Sequence, residues 1–315
     1  MTQQHPMTKK SFSPWSLGAP LYMPGNRRDI LDCANGEKFS VLRSMIFCTE
    51  DAVSRTDVDG CLRHLGLCLQ GFKELPMRFR FIRARNPDIL ARLLDLPDIE
   101  KINGFVLPKF NIEVLPAYFD QLHGTSFKVM PTLETQDVFD QHAMIELRQA
   151  LLQDDIFSRI LMLRIGGNDL MNLLGIRRPR AFTVYETPIG SVISQLVTTF
   201  KPYGFALSAP VFEYLDDMAT LEKEIRLDLA YGLTGKTAIH PAQIPFLDSC
   251  YAVDSEEYEM ALSIIDHAAP AVFKMYNAMC EVATHQQWAK DIINRFVCYG
   301  SKDTDLLKGF SELSS

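Results

Sequence analysis

The sequence lacks any paired cysteine motif. Its seven cysteines (Cys33, Cys48, Cys61, Cys68, Cys250, Cys280 and Cys298) are odd in number and contain no Cys-x-x-Cys pair. That excludes a disulfide framework and matches no zinc spacing. Positive charge is in deficit, with 32 Lys and Arg against 39 Asp and Glu and a net charge of −7. A polyanion needs a basic face, so no nucleic-acid partner is expected. No stretch approaches the roughly 18 consecutive apolar residues of a membrane span. The first residues, MTQQHPMTKKSFSPWS, carry no apolar core of a secretory signal, so a cytoplasmic location is expected. Internal repeats and low-complexity tracts are missing too. What remains is ordinary: 47% hydrophobic and 23% charged residues over 315 positions. That length suits two domains, or one α/β barrel with an extension, and is ample for a core.

Residues 1–16 are polar, hold two prolines and show no periodicity, and so read as a mobile or oligomer-docking arm. From Ala19 onward, short β-rich runs alternate with amphipathic stretches. Strands are expected at 19–23, 43–49, 77–84, 104–107, 127–133, 160–165, 205–208 and 237–239, with helices at 57–70, 112–122, 143–152, 192–200 and 221–230. Strand–helix alternation implies a parallel sheet. Eight units in this length, with no Gly-x-Gly-x-x-Gly after the first strand, fit a closed (β/α)8 TIM barrel better than a Rossmann sheet. After Ile239 the pattern turns helical, at 255–267, 270–281 and 288–296. The expected organisation is an arm (1–16), a barrel catalytic domain (17–254) and a helical extension (255–315) packed on the barrel or on a neighbouring subunit.

In a parallel barrel the active site lies at the C-terminal ends of the strands. Here those ends carry Thr49-Glu50-Asp51, Arg83-Ala84-Arg85-Asn86, Pro108-Lys109, Glu134, Gly166-Gly167-Asn168-Asp169 and His240. Polar groups gather at one end of the expected strands. Glu134 and Asp169 lie 35 residues apart, one βα unit, and therefore at one height on adjacent strands. Two converging carboxylates repel unless a cation lies between them or one is protonated. Mg²⁺ takes one or two carboxylates plus water and substrate oxygens. The plainer alternative is helix capping, since Asp169 precedes Leu170-Met171-Asn172. Arg83 closes an alternating Arg78-Phe79-Arg80-Phe81 run, and its planar guanidinium suits a carboxylate or enolate oxygen, or an ion pair with Glu50 or Asp51.

Three other features have plainer readings. His240 beside Pro241 is either a general base or structural. Ala230-Tyr-Gly-Leu-Thr-Gly235-Lys236-Thr237 resembles a phosphate loop, but a helix precedes it and a strand follows, the inverse of the arrangement that binds phosphate. Arg177-Arg178-Pro179-Arg180 suits an acidic substrate tail or a solvated loop.

Together, Leu21-Tyr-Met-Pro-Gly-Asn-Arg27, Thr49-Glu-Asp-Ala-Val53, Arg83, Leu107-Pro-Lys109, Leu133-Glu-Thr135, Gly167-Asn-Asp-Leu170 and Gly235-Lys-Thr-Ala-Ile-His-Pro241 resemble, in order, the citrate lyase β-subunit family, the HpcH/HpaI group of carbon–carbon bond lyases. The resemblance covers about residues 19 to 260. It implies a (β/α)8 barrel in a homo-oligomer, a trimer or hexamer, that binds Mg²⁺ through Glu134 and Asp169. Arg83 would hold the keto-acid or enolate oxygens, supported by the acidic pair Glu50 and Asp51. The implied reaction is aldol or Claisen-type cleavage or condensation of a small oxo- or hydroxy-acid or its CoA ester, through a metal-stabilised enolate. Asn168 stands where the family carries an acid, Gln136-Asp137-Val138 replaces a small-residue loop, and the family's Val-Asp-x-Pro lid stretch is missing. Arg164-Ile-Gly-Gly-Asn-Asp169 and Tyr185-Glu-Thr-Pro-Ile-Gly190 resemble a divergent branch found with tellurite-resistance-type stress genes. For that branch the alternative is a barrel without catalysis, serving as a binding or assembly subunit in a stress-response or nucleoside-like metabolite pathway.

Overall fold

The computed structural model describes residues 13–302. Seven strands run parallel in sequence order: β1 (Leu21–Pro24), β2 (Ser44–Cys48), β3 (Phe79–Arg83), β4 (Gly104–Leu107), β5 (Lys128–Leu133), β6 (Leu163–Ile165) and β7 (Leu207–Ser208). β2, β3 and β4 are buried along their whole length, as strands covered on both faces must be. Helices such as Val58–Gln70, Pro87–Leu94, Leu115–Leu122, Ile189–Phe200 and Met218–Ala230 connect them.

The expected eighth strand at 237–239 is not a regular one. Its place is taken by residues 234–238, held by isolated bridges from Lys236 to Ala209 and from Ala238 to Leu21. Thr234 donates to the Leu207 carbonyl at 2.7 Å, and Ala238 to that of Pro20 at 2.9 Å. The barrel therefore closes between β7 and β1. Gly235 sits at φ +101°, outside the strand region, which prevents a continuous ladder.

Side chains alternate in and out of the barrel. Ile46, Phe79, Phe81, Val106, Met130 and Met162 fill its lower interior together with Leu17 and Leu161. Each such apolar side chain contributes about 1.5–3 kcal/mol when fully buried. Trp15 departs from the expectation of an arm over residues 1–16. The expected arm lies outside the described residues as far as residue 12, but Pro14–Leu17 is a 3₁₀ turn with Trp15 and Leu17 buried. Ser44 ties it down by donating to the Leu17 carbonyl at 2.6 Å. Arg78 and Arg80 point the other way, outward between strand and helix. They donate to the Cys33 and Leu42 carbonyls and to the Ala34 carbonyl, respectively, and so are packing residues.

The chain divides after Ile244 into two compact units. In the second, helices Ser255–Ile265 and Val282–Tyr299 enclose Val253, Ala261, Ile264, Cys280, Ala289 and Ile292, and Tyr258 stacks on Phe296 at 3.7 Å. The helix expected at 270–281 is instead an antiparallel hairpin, β8 (Val272–Met275) with β9 (Ala278–Glu281). Tyr276 and Asn277 form its two-residue turn at φ +48° and +60°, the left-handed pair that a tight hairpin demands. Exposure along β8 alternates with period two. A single short turn with no glycine masks that period in the sequence. No disulfide forms among the described cysteines, and no described helix is long and apolar enough to cross a membrane.

Candidate active site

Five strand ends deliver the expected residues to one place. Cys48 of β2 pairs with Arg83 of β3, and Arg83 with Val106 of β4. Just past the β2 end, Thr49 donates to the Arg83 carbonyl through both its backbone N–H (3.1 Å) and its hydroxyl (2.8 Å). This double tie fixes Glu50 beside Arg83. The Arg83 guanidinium then donates through Nε to Glu50 Oε2 at 2.5 Å and through Nη2 to Glu134 Oε1 at 3.0 Å. All three side chains are buried. Burial works against the guanidinium's charge, yet Tyr22, Glu134 and Glu50 outweigh it and raise its pKa. Asp51 stands at the rim, 3.5 Å from Arg83 Nη2.

Lys109 completes the centre. It occupies the left-handed region at φ +48°, a conformation uncommon for a non-glycine residue, and this aims its backbone N–H at Glu134 Oε1, 2.8 Å away. Its ammonium reaches Glu50 Oε1 at 2.6 Å. The sequence placed Lys109 at a strand end without giving it a role, because nothing in residue type announces a left-handed backbone.

Arg85 settles the choice between two arginines. It lies past the end of β3 and donates to the carbonyls of Thr49 (3.1 Å), Glu50 (2.7 Å) and Val53 (2.5 Å). It holds the loop; Arg83 enters the centre.

Asp169 lies in the first turn of helix Gly167–Leu173, whose N-cap is Gly166, so the capping alternative does not describe it. Its negative charge acts on Glu134. Burial first, and Asp169's charge in addition, push the Glu134 carboxyl up to about 7, against the pull of Arg83. Both hydrogen bonds recorded to Glu134 fall on Oε1. Oε2 faces Gly166, where a side chain would overlap it. Glu50, Asp51, Glu134 and Asp169 face Arg83 and Lys109, which leaves two formal negative charges in excess. No group of three or more His, Cys, Asp or Glu side chains forms a complete metal cage among the described residues. Two hard oxygen donors with an excess of negative charge are nevertheless the donor set Mg²⁺ accepts, with water and ligand oxygens filling the other positions.

The other candidates fall outside this centre. Lys236 is 1% exposed, on the outer face, and is paired with Glu224 (2.9 Å) and Asp228 (3.0 Å); it is no phosphate-loop lysine. Arg178 is buried against Glu224 at 2.7 Å, and Arg180 pairs with Asp216 at 3.0 Å. His240 is exposed and caps the turn Pro241–Gln243 by accepting from the Ala242 N–H through Nδ1.

The model of a family described as the C-C bond lyase of the TIM-barrel fold matches residues 11–301. A (3S)-malyl-CoA thioesterase of Cereibacter sphaeroides (strain KD131) is 24% identical over 250 residues, 76% of this chain and 79% of that protein. Among solved structures, protein CitE of Mycobacterium tuberculosis in complex with magnesium, acetoacetate and coenzyme A is similar with a TM-score of 0.65. It is 19% identical and covers 89% of this chain and 98% of its own. RipC of Yersinia pestis gives a TM-score of 0.59 at 17% identity, covering 78% and 99%.

Proposed function

The chain belongs to the C-C bond lyases of the TIM-barrel fold, and on that premise we propose that it breaks or forms a carbon–carbon bond in an oxo- or hydroxy-acid or its CoA thioester, with Mg²⁺ held by Glu134 and Asp169. The observation that carries this reading is the convergence of Glu50, Arg83, Lys109 and Glu134 at the strand ends, with negative charge in excess. The presence of magnesium in the CitE complex supports it.

When the bond breaks, its electron pair passes into an enolate, while the departing carbon's hydroxyl becomes a carbonyl by giving its proton to water; a proton then returns to the enolate carbon, so none is gained or lost. Mg²⁺, when bound, supplies Lewis-acid stabilisation of the negative oxygen. Arg83 is the fixed donor at that oxygen. Because Glu50 and Glu134 already orient it, it needs no rearrangement as charge develops. Glu50 is a positioning residue, holding Arg83 on one oxygen and Lys109 on the other. Lys109, half-exposed at the mouth, meets the acid or thioester end of the ligand. A cytoplasmic homo-oligomer, trimer or hexamer, belongs to the same reading; light scattering reads its size.

Isothermal titration with Mg²⁺ tests the metal site. Glu134→Ala and Asp169→Ala should each abolish binding while far-UV circular dichroism stays native; undiminished binding would refute the assignment. The thioesterase relative favours a second reading, hydrolysis of a CoA thioester at the same centre. Product analysis separates the two. A lyase yields a shorter thioester and an oxo-acid, whereas a thioesterase yields free CoA and the intact acid.

A further inference from the structure

One row of the barrel interior is polar, below the centre just described. Thr132 of β5 pairs with Arg164 of β6, and Arg164 with Ser208 of β7, so three neighbouring strands place these side chains side by side. Two residues further along the same faces stand Glu134, Gly166 and Pro210, a rise of about 7 Å. All three side chains are buried, with exposures of 3%, 5% and 3%. Each also holds a buried polar atom without a hydrogen-bond partner: Thr132 Oγ1, Arg164 Nη1 and Ser208 Oγ. Arg164 Nη2 donates to the Thr237 hydroxyl, and its guanidinium carbon lies 5.4 Å from the centre of the Tyr22 ring. Arg83 lies 5.8 Å from that same ring. Other buried arginines differ from it: Arg83 has Glu50 and Glu134, Arg178 has Glu224, and Arg78 and Arg80 have backbone carbonyls.

A buried cation without a counter-charge is strongly unfavourable, and a buried donor without an acceptor adds to that. A fold that sets such a cation between two unengaged hydroxyls has built the donor half of an anion site. The planar fork of guanidinium matches a carboxylate, and each hydroxyl can donate to one of its oxygens. We propose that Arg164, flanked by Thr132 and Ser208, is a buried carboxylate-binding site inside the barrel, one strand layer beneath the Glu134 centre. Combined with the proposed function, on which this extension rests, the site takes a second carboxylate of the ligand. The substrate is then a dicarboxylic oxo- or hydroxy-acid, with its reacting end at Arg83 and its other end at Arg164.

The test uses the full chain and reads the two levels separately. In EDTA, malonate is titrated into wild type, Arg164→Gln, Thr132→Val and Arg180→Gln, an exposed arginine paired with Asp216 away from the barrel interior. Wild type should bind it saturably, Arg164→Gln at least tenfold more weakly and Thr132→Val several-fold more weakly, with Arg180→Gln unchanged. Equal affinity in wild type and Arg164→Gln, or no binding by wild type, would overturn the site. With Mg²⁺ present, wild type should prefer oxaloacetate to pyruvate by at least tenfold, and Arg164→Gln should lose that preference; a preference that survives also overturns the site. A parallel Mg²⁺ titration reports on Glu134 and Asp169 alone, so failure of the metal reading leaves the EDTA result standing. Thr132→Val keeps Arg164 in place and is an independent arm: an affinity equal to wild type also overturns the site. Melting separates ligand binding from structural support: Arg164→Gln should melt no lower than wild type, and a drop of many degrees would make Arg164 a scaffold residue instead.

Discussion

A single methyl group on Gly166 should weaken Mg²⁺ binding at the proposed site without altering any charged residue. Gly166 lies at φ −86°, ψ 71°, which other residues can adopt, so the substitution to alanine carries no left-handed strain. Its cost is steric: the new Cβ would overlap Glu134 Cβ and Oε2 and come within 3.2 Å of Cδ. The backbones cannot part easily, because the Gly166 N–H donates to the Leu133 carbonyl at 3.1 Å. Rotation clears Oε2 but cannot move Cβ, so Glu134 must both turn and be carried off its partners by a local backbone shift. Turning it strains two hydrogen bonds, from Arg83 at 3.0 Å and from the Lys109 N–H at 2.8 Å, each worth about 1.5–3 kcal/mol to a charged acceptor. Overpacking of this kind costs about 1–3 kcal/mol in stability. Loss of orientation at a metal ligand costs roughly 10–100-fold in affinity. The control is Gly167→Ala, whose Cβ would meet Pro210 Cβ at 2.7 Å and touch no site carboxylate. Both variants should melt several degrees lower, at about 2–4 °C per kcal/mol. In Mg²⁺ titration only Gly166→Ala should weaken binding by tenfold or more. Wild-type affinity in Gly166→Ala, or an equal loss in Gly167→Ala, would refute the reasoning.

Two further outcomes follow from the charges. Glu134 is raised from 4.5 to about 7, mainly by burial, so protons would compete with an Mg²⁺ ion bound there as proposed. Mg²⁺ affinity should fall about tenfold per pH unit below 7 and level off above it, with proton uptake or release measured by titration in buffers of different ionisation enthalpy. The sign for stability is the reverse: without metal, this group's contribution is full below about pH 4.5 and is lost as pH rises through 7, so the metal-free protein gains more from Mg²⁺ at pH 8 than at pH 6. The second concerns Lys236. Replacing it by alanine leaves Asp228 buried without its cation and Glu224 with Arg178 alone, and should destabilise by about 3–5 kcal/mol in urea denaturation. If Lys236→Ala instead abolished a saturable ATP affinity while leaving stability intact, the structural assignment of this lysine would be wrong.

The barrel was legible because each strand is a short apolar run followed by polar residues, and each helix carries its own period. Those are local properties of the chain, and Gly104–Leu107 was bounded to the residue. The eighth strand and the hairpin were not, since both depend on left-handed residues: Gly235 interrupts one, while Tyr276 and Asn277 turn the other. The type of residue permits such a conformation but does not announce it.

For the site, sequence alone determined which side chains reach the C-terminal ends of the strands: Glu50, Asp51, Arg83, Glu134 and Asp169. Alternation and unit length fix height and facing before any contact forms. Tertiary structure decided how they are used. It gave Arg83 to the centre and Arg85 to the loop, because adjacent odd positions on a strand end diverge once the strand stops. It turned the Lys109 N–H toward Glu134, and it consumed Lys236 and Arg178 in buried pairs on the outer face. It also left Arg164 inside the barrel between two unengaged hydroxyls, which no reading of one strand reveals, since the row exists only when three strands stand in register.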